Sequence, residues 1–135
     1  DPGTVVAELE ALDRTPDDGG FNPAELPPGA LVEHIVREHH GFLREELPRL
    51  RAMALRVAQV HGGHTPSLNA VRDVVLALEF ELMTHLLKEE QILFPAVVAM
   101  ESGEAAGLDL DGPVACMLHE HEDAGAALER LRELT

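Results

Sequence analysis

Aromatic residues and cysteine are scarce in this sequence, and long apolar runs are absent. The 135 residues include four Phe, no Trp, no Tyr and one Cys, although 45% of them are hydrophobic. An apolar set made largely of Leu, Val and Ala, with so few aromatic residues, favours helices over strands. The single Cys116 excludes an internal disulfide, which fits the reducing cytoplasm as the expected location. The apolar runs are too short for a membrane span, which needs about 20 residues.

Basic residues are also few. The chain carries 10 Lys and Arg against 25 Asp and Glu, for a net charge of −15. Nucleic acids and anionic membrane surfaces are bound through clustered Lys and Arg, so neither is an expected partner. An acidic surface suits metal cations and basic partners, but it is also an ordinary property of acidic proteins.

Proline and glycine divide the chain into three parts. Residues 1–14 are predicted to form one short helix, and the Pro- and Gly-rich residues 15–29 a linker at a domain boundary. Residues 30–135 fit three long helices, at about 30–60, from a Thr65 cap to 94 or 101, and from an Asp111 or Gly112 cap to 134. Pro48 is expected to bend or break the first helix, and Pro95 to kink the second. No hairpin signal appears, so the predicted fold is an all-α, up-down antiparallel bundle.

Histidine interrupts the apolar seam of each long helix. In the second helix the seam runs through Leu68, Val71, Val75, Leu78, Leu82, His85, Glu89, Ile92 and Ala96. The first helix has Val36, His40, Leu43, Leu47, Leu50, Ala54 and Val57, and the third has Val114, Met117, His121, Ala124, Leu128 and Leu131. A buried polar group without a partner costs about 1–3 kcal/mol, and a charged Glu costs more. The cost of burying these four polar residues therefore has to be offset by a binding partner.

These four polar seam residues, His40, His85, Glu89 and His121, are predicted to lie in one layer of the bundle. The first turn centres near Gly63, and His40 precedes it by about as many residues as His85 and Glu89 follow it. An antiparallel hairpin places such positions at the same height, and His121 is roughly level with them. Imidazole and carboxylate without thiolate suit non-haem iron, manganese or zinc, and a carboxylate between helices can bridge two ions. A buried metal site is predicted, with four incidental core residues as the alternative.

Other polar residues are weaker candidates. Glu90 and Glu120 flank candidate ligands and either orient them or belong to a solvated face. His39 follows a secondary apolar stripe, which predicts a core position or contact with a ligand. Cys116 is predicted to be a small buried residue. Four further histidines are predicted to lie outside the site: His34, His61, His64 and His119.

Three segments resemble a known family: "LVEHIVREHHGFLREELPRL", "HLLKEEQILFP" and "GPVACMLHEHEDAGAALERLREL". They are similar to the hemerythrin-like domain of the di-iron proteins that repair iron–sulfur centres (the RIC family), over residues 30–134. The resemblance implies that His40, His85, Glu89 and His121 are iron ligands, with Glu89 bridging two irons. It also implies that residues 1–14 are the last helix of a small preceding domain.

The family pattern includes a fourth helix with another His–x₃–Glu, which this sequence does not contain. Because four ligands cannot saturate two irons, solvent, another chain or further sequence is expected to supply the rest. An incomplete bundle exposes an apolar flank, so a homodimer is expected.

Three functions remain open at this point. The resemblance implies a stress-response repair factor, rather than a turnover enzyme, that acts on iron–sulfur proteins damaged by oxidants or nitric oxide. The alternative is a hemerythrin-type protein that binds or senses oxygen or nitric oxide. A structural bundle whose histidines bind nothing is the third, and the shared layer of polar residues argues against it.

Overall fold

A computed structural model describes residues 22–104 and 107–135 of the chain. These residues form three long helices with short connections and contain no strand. The predicted all-α fold is therefore confirmed. The predictions for residues 1–14 and for the first part of the linker lie outside the described residues. Within the rest of the linker, a single 3₁₀ turn spans Pro23–Glu25 and is capped by the side chain of Asn22.

Helix α1 occupies residues 28–61 in three consecutive segments. An α-helical segment at Pro28–His34 leads into a π-helical segment at Ile35–His40, and the α-helix resumes at Gly41–His61. Pro48 lies inside the last segment, and the helix continues through it. Of the predicted bend or break, the break is therefore wrong, and the bend stays a prediction. Proline removes one backbone hydrogen bond, and the exposed position of Pro48 allows water to replace it.

Helix α2 occupies residues 67–101 with the same internal pattern. Its segments are Ser67–Lys88, the π-helical Glu89–Leu93, and Phe94–Glu101. It begins two residues after the predicted Thr65 cap, and no side chain caps it. Gly103 ends the helix with a φ of 75°, which glycine adopts without strain. Glu104 N–H donates to the Ala99 carbonyl and Gly103 N–H to that of Met100, the two bonds of a Schellman stop.

Helix α3 spans Asp111–Leu134, close to its predicted bounds. The residue at its cap position is Leu110, and the Asp109 carboxylate accepts a hydrogen bond from the Asp111 N–H. The carboxylate that accepts a hydrogen bond at the start of the helix is therefore that of Asp109, which precedes Asp111 and Gly112, the two predicted cap residues. Pro113 falls in the first turn, where the missing N–H has no helical partner to lose.

Helix α2 packs antiparallel to both of the other long helices. Gly29 N–H near the start of α1 donates to Glu101 at the end of α2, and Arg51 pairs with Glu79 further along. On the other side, Lys88 of α2 pairs with Glu120 of α3. In the described residues α1 and α3 make few contacts with each other. The three helices are thus an open arrangement with α2 in the middle.

The buried core is small. Among the described residues, six apolar side chains are buried, together with two histidines: Leu47, Ala58, Leu78, Leu86, Phe94, Met117, His40 and His85. Many large apolar side chains remain exposed, because α1 and α3 are each covered mainly on the side that faces α2. No described helix has the length and apolar character needed to cross a lipid bilayer.

Several predicted seam positions are wrong for identifiable reasons. Ile92 is 57% exposed because the π-helical segment adds a residue to its turn, which places Phe94 in the core instead. Leu50 and Val57 are exposed on α1, where Leu47 and Ala58 are buried. Val114 and Leu128 are exposed on α3. Since α3 packs mainly against one neighbour, only a narrow strip of its predicted seam is covered.

Candidate metal centre

The two π-helical segments place two of the four candidate residues. His40 is the last residue of the segment in α1, and Glu89 is the first residue of the segment in α2. Each segment closes with an i to i−5 hydrogen bond, from Gly41 N–H to the Val36 carbonyl and from Phe94 N–H to the Glu89 carbonyl. Single π turns of this kind occur frequently at functional sites. Here they lie opposite each other at the interface of α1 and α2.

The Glu89 carboxylate lies between two buried imidazoles. Its Oε2 is 2.9 Å from Nε2 of His40, and its Oε1 is 3.3 Å from Nε2 of His85. His40 is 2% exposed and His85 is 5% exposed. Each oxygen of one carboxylate therefore faces a different histidine.

His121 joins this group from α3. Its ring centroid is 4.6 Å from that of His85, with the two ring planes tilted by 58°. One ligand atom each from His85, Glu89 and His121 lies within 4.8 Å of the others. His40 is not part of this three-residue group and is joined to it through its contact with Glu89 Oε2. His121 is exposed and not buried in a seam. The open side of α3 explains this exposure.

The opposite nitrogen of each buried histidine is held by a second carboxylate. Nδ1 of His40 is 2.7 Å from Glu90 Oε1, and Nδ1 of His85 is 2.7 Å from Glu120 Oε2. A carboxylate can only accept, so each Nδ1 carries the proton and donates it. In the neutral ring of His85 this leaves the lone pair on Nε2, which faces Glu89 Oε1.

Each of these outer carboxylates is paired with a basic residue. Arg44 contacts both oxygens of Glu90, and Lys88 contacts Glu120. Burial raises the pKa of the Glu90 carboxyl, but hydrogen bonds from His40 and Arg44 together outweigh it and leave the pKa below its ordinary value. Hydrogen bonds from Lys88 and His85 lower the pKa of Glu120. Both carboxylates are therefore kept ionised as acceptors for the imidazole N–H groups.

The arrangement fits a bound cation. Nε2 of His85 is buried and has no hydrogen-bond partner among the described residues. It faces Glu89 Oε1, so two groups with available lone pairs point toward each other in a region shielded from water. A metal ion that accepts both lone pairs would compensate them. The carboxylate–imidazole contacts on the far side are those that commonly orient histidine ligands of metals.

The remaining candidates lie outside this centre. His39 is exposed and contacts the ring of His34 edge-on, at 5.6 Å between centroids, so its predicted core or ligand-contacting position is wrong. His61, His64 and His119 are exposed. Cys116 is also exposed, 3.8 Å from Glu120, and the prediction of a buried thiol is wrong because that side of α3 is uncovered.

Sequence reasoning missed three residues around the site. Arg44 and Lys88 fix the outer carboxylates, and the buried ring of Phe94 stacks on His40 with 5.5 Å between centroids. In the sequence, Arg44 and Lys88 look like ordinary basic residues of a helix surface. Phe94 lies two positions from the nearest predicted seam residues, Ile92 and Ala96, and only the π-helical segment moves it inward.

Residues 31–135 match the family model described as the hemerythrin HHE cation binding domain. The chain belongs to this family. The match includes all four candidate ligands and all three long helices, and the HHE family description agrees with a cation as the missing partner of His85.

Curated relatives of this HHE domain carry the name iron-sulfur cluster repair protein YtfE. The chain is 40% identical to the protein of Edwardsiella ictaluri (strain 93-146) over 131 residues, which are 97% of the chain and 57% of the relative. It is 35% identical to that of Pectobacterium atrosepticum over the same shares, and 33% identical to that of Enterobacter sp. (strain 638) over 100% of the chain and 58% of the relative. The chain thus spans less than two thirds of the length of these relatives.

Proposed function

We propose that this chain holds a di-iron centre through His40, His85, Glu89 and His121, and serves in the repair of iron–sulfur clusters damaged by oxidants or nitric oxide. The observation that carries the proposal is the position of Glu89, whose two oxygens face the Nε2 atoms of two buried histidines. A carboxylate placed in this way can bind one ion through each oxygen. The repair activity is inferred from the names of the relatives, and iron–sulfur proteins are the proposed recipients of repair.

The ligand types support iron. Imidazole and carboxylate without thiolate are typical ligands of non-haem iron, and helical bundles hold paired irons with such side chains. Manganese and zinc accept similar ligands, so the choice of iron rests on the relatives. Bound iron would supply redox chemistry and a store of iron ions for a damaged cluster.

The residues of the chain have separable tasks in this proposal. His40 would bind on the α1 side, while His85 and His121 would bind on the side of α3. Glu89 would serve both positions, and Glu90 and Glu120 keep the imidazoles of His40 and His85 oriented with Nε2 toward it. The exposure of His121 leaves that side of the centre accessible from solvent, which delivery of iron to another protein requires.

A repair assay tests the proposal directly. An iron–sulfur dehydratase inactivated by peroxide or nitric oxide is incubated with the iron-loaded chain, and its recovered activity is measured. We expect recovery with the wild-type chain and little with Glu89→Ala. Equal recovery with free ferrous iron at the same concentration would contradict a specific repair role.

One observation favours a second candidate, the binding or sensing of oxygen or nitric oxide. A cavity of about 200 Å³ lies beside His85 between α2 and α3, lined by Phe80, Glu81, Leu82, Thr84, His85, Glu120, Asp123 and Ala124. It is large enough for a diatomic ligand. Reversible spectral changes with nitric oxide or oxygen, without any recovery in the repair assay, would favour this second function.

A further inference from the structure

The contact of Arg44 with Glu90 forms an ionic link one turn along α1 from His40. Arg44 Nη2 lies 2.8 Å from Glu90 Oε1 and 2.9 Å from Glu90 Oε2. The same Oε1 accepts the hydrogen bond from His40 Nδ1 at 2.7 Å. Three side chains thus form a continuous path from the surface, where Arg44 is 37% exposed, to a histidine that is almost fully buried.

This path restricts the orientation of the Glu90 carboxylate. A carboxylate bound by one partner can rotate about its terminal bond, whereas contact of a guanidinium nitrogen with both oxygens removes that freedom. The guanidinium stays charged at any physiological pH and keeps its planar geometry. The acceptor for His40 Nδ1 is therefore held in one place, and the ring of His40 is fixed with Nε2 toward Glu89.

We propose that Arg44 is a positioning residue for the metal centre, acting through Glu90 on the orientation of His40. This inference rests on the proposed function, because it assumes that His40 binds metal. It assigns a task to a residue that does not contact the metal. Loss of such outer contacts typically lowers metal affinity by about 10- to 100-fold.

The competing explanation is that Arg44 and Glu90 only fasten α1 to α2. The chain contains a pair that does this alone. Arg51 and Glu79 lie at the same interface, with 3.4 Å between Nε and Oε2, about three turns from His40 along α1. Neither contacts any of the four candidate ligands in the described structure. A variant that removes the ion pair of Arg51 and Glu79 therefore loses one contact between α1 and α2 without changing any residue of the metal centre.

The experiment compares four variants of the whole chain with the wild type: Arg44→Gln, Arg44→Lys, Glu90→Gln and the control Arg51→Gln. Ferrous iron affinity is measured anaerobically by competition with a chromophoric chelator. Thermal unfolding of the metal-free chains is followed by circular dichroism. Cobalt(II) absorption bands, which respond to ligand geometry, report on the orientation of the ligands.

We expect Arg44→Gln and Glu90→Gln to lower iron affinity by about 10- to 100-fold and to change the cobalt bands. Arg44→Lys keeps the charge but replaces the rigid guanidinium with a freely rotating ammonium group, so it should recover part of the affinity. Arg51→Gln should lower the unfolding temperature about as much as Arg44→Gln and leave both metal readouts unchanged.

The two proposals fail in different ways. Wild-type affinity in Arg44→Gln, or an equal loss in Arg51→Gln, would overturn the positioning role while the metal centre stands. A wild-type chain that binds neither iron nor cobalt would overturn the metal centre and the positioning role together. If Arg44→Gln does not fold, the comparison of Arg44→Lys and Glu90→Gln with Arg51→Gln decides the question.

Discussion

Glu89 and His40 are 49 positions apart in the sequence, yet Oε2 of the glutamate lies 2.9 Å from Nε2 of the histidine. The other oxygen of Glu89 faces His85, one turn earlier on its own helix. A single carboxylate therefore connects an imidazole of α1 with an imidazole of α2. Every property expected of the centre depends on this connection.

Replacement of the central residues should remove bound metal. We expect Glu89→Ala and His85→Ala to retain only a small fraction of the iron found in the wild-type chain, because each change removes a ligand from the shared layer. Elemental analysis after anaerobic loading and desalting measures this. His119→Ala is the matched control, since His119 is exposed two positions from His121 and pairs only with Glu122 and Asp123 in the described structure. Equal iron in all four proteins would refute the ligand set.

The absorption spectrum offers a second test. With no Trp and no Tyr, the chain itself absorbs very weakly in the near ultraviolet. Charge-transfer bands of ferric iron bound by imidazole and carboxylate should therefore be easily seen in the oxidised protein, and they should bleach on reduction. Iron-loaded Glu89→Ala should show weaker or shifted bands. A featureless spectrum from oxidised, iron-loaded wild type would argue against a coupled pair of irons.

Stability should depend strongly on the few residues that are buried. Leu86 is 2% exposed and follows His85 directly, so Leu86→Ala leaves a cavity beside the centre. We expect it to lower the free energy of unfolding of the metal-free chain by about 2–5 kcal/mol. The neighbouring Leu87 is 48% exposed, and Leu87→Ala should cost about 0.5 kcal/mol or less. Urea unfolding measures both, and similar losses in the two variants would show that the core is misplaced.

Much of the site could be predicted from the sequence because the fold is a simple antiparallel array. In such an array, the distance of a residue from the turn fixes its height. The position of His40 relative to Gly63 was therefore enough to place it beside Glu89. The starts of α2 and α3 could also be predicted, because Pro66 precedes the first residue of α2 and Pro113 lies in the first turn of α3. Pro28, at the start of α1, fell within the predicted linker.

The errors came from features that have no local signal. Neither π-helical segment is marked by its composition, so the shift that exposes Ile92 and buries Phe94 could not be predicted. The partners Arg44 and Lys88 are identified only when Glu90 and Glu120 are placed opposite them. The exposure of His121 and Cys116 depends on which side of α3 is covered, and periodicity does not determine that.

The exposed face of α3 is the basis of the last prediction. Val114, Leu118 and Leu128 expose 41%, 59% and 52% of their surface on a helix that packs mainly against α2. Exposed apolar groups of this size are typical of interfaces or of surfaces prone to aggregation.

We predict that the purified chain associates, as a homodimer in the simplest case, and that each chain holds one iron of the proposed pair tightly, because its four ligands leave the second position short of ligands. The four ligand side chains match the number that one tightly held metal normally requires. Sedimentation velocity and iron stoichiometry test this prediction. Leu118→Glu should shift the chain toward monomer, because it places a charge on the apolar face of α3. Val60→Glu, at a position 48% exposed near the end of α1, should not. A stable monomer that retains two tightly bound irons would contradict the prediction, since it would require ligands beyond His40, His85, Glu89 and His121.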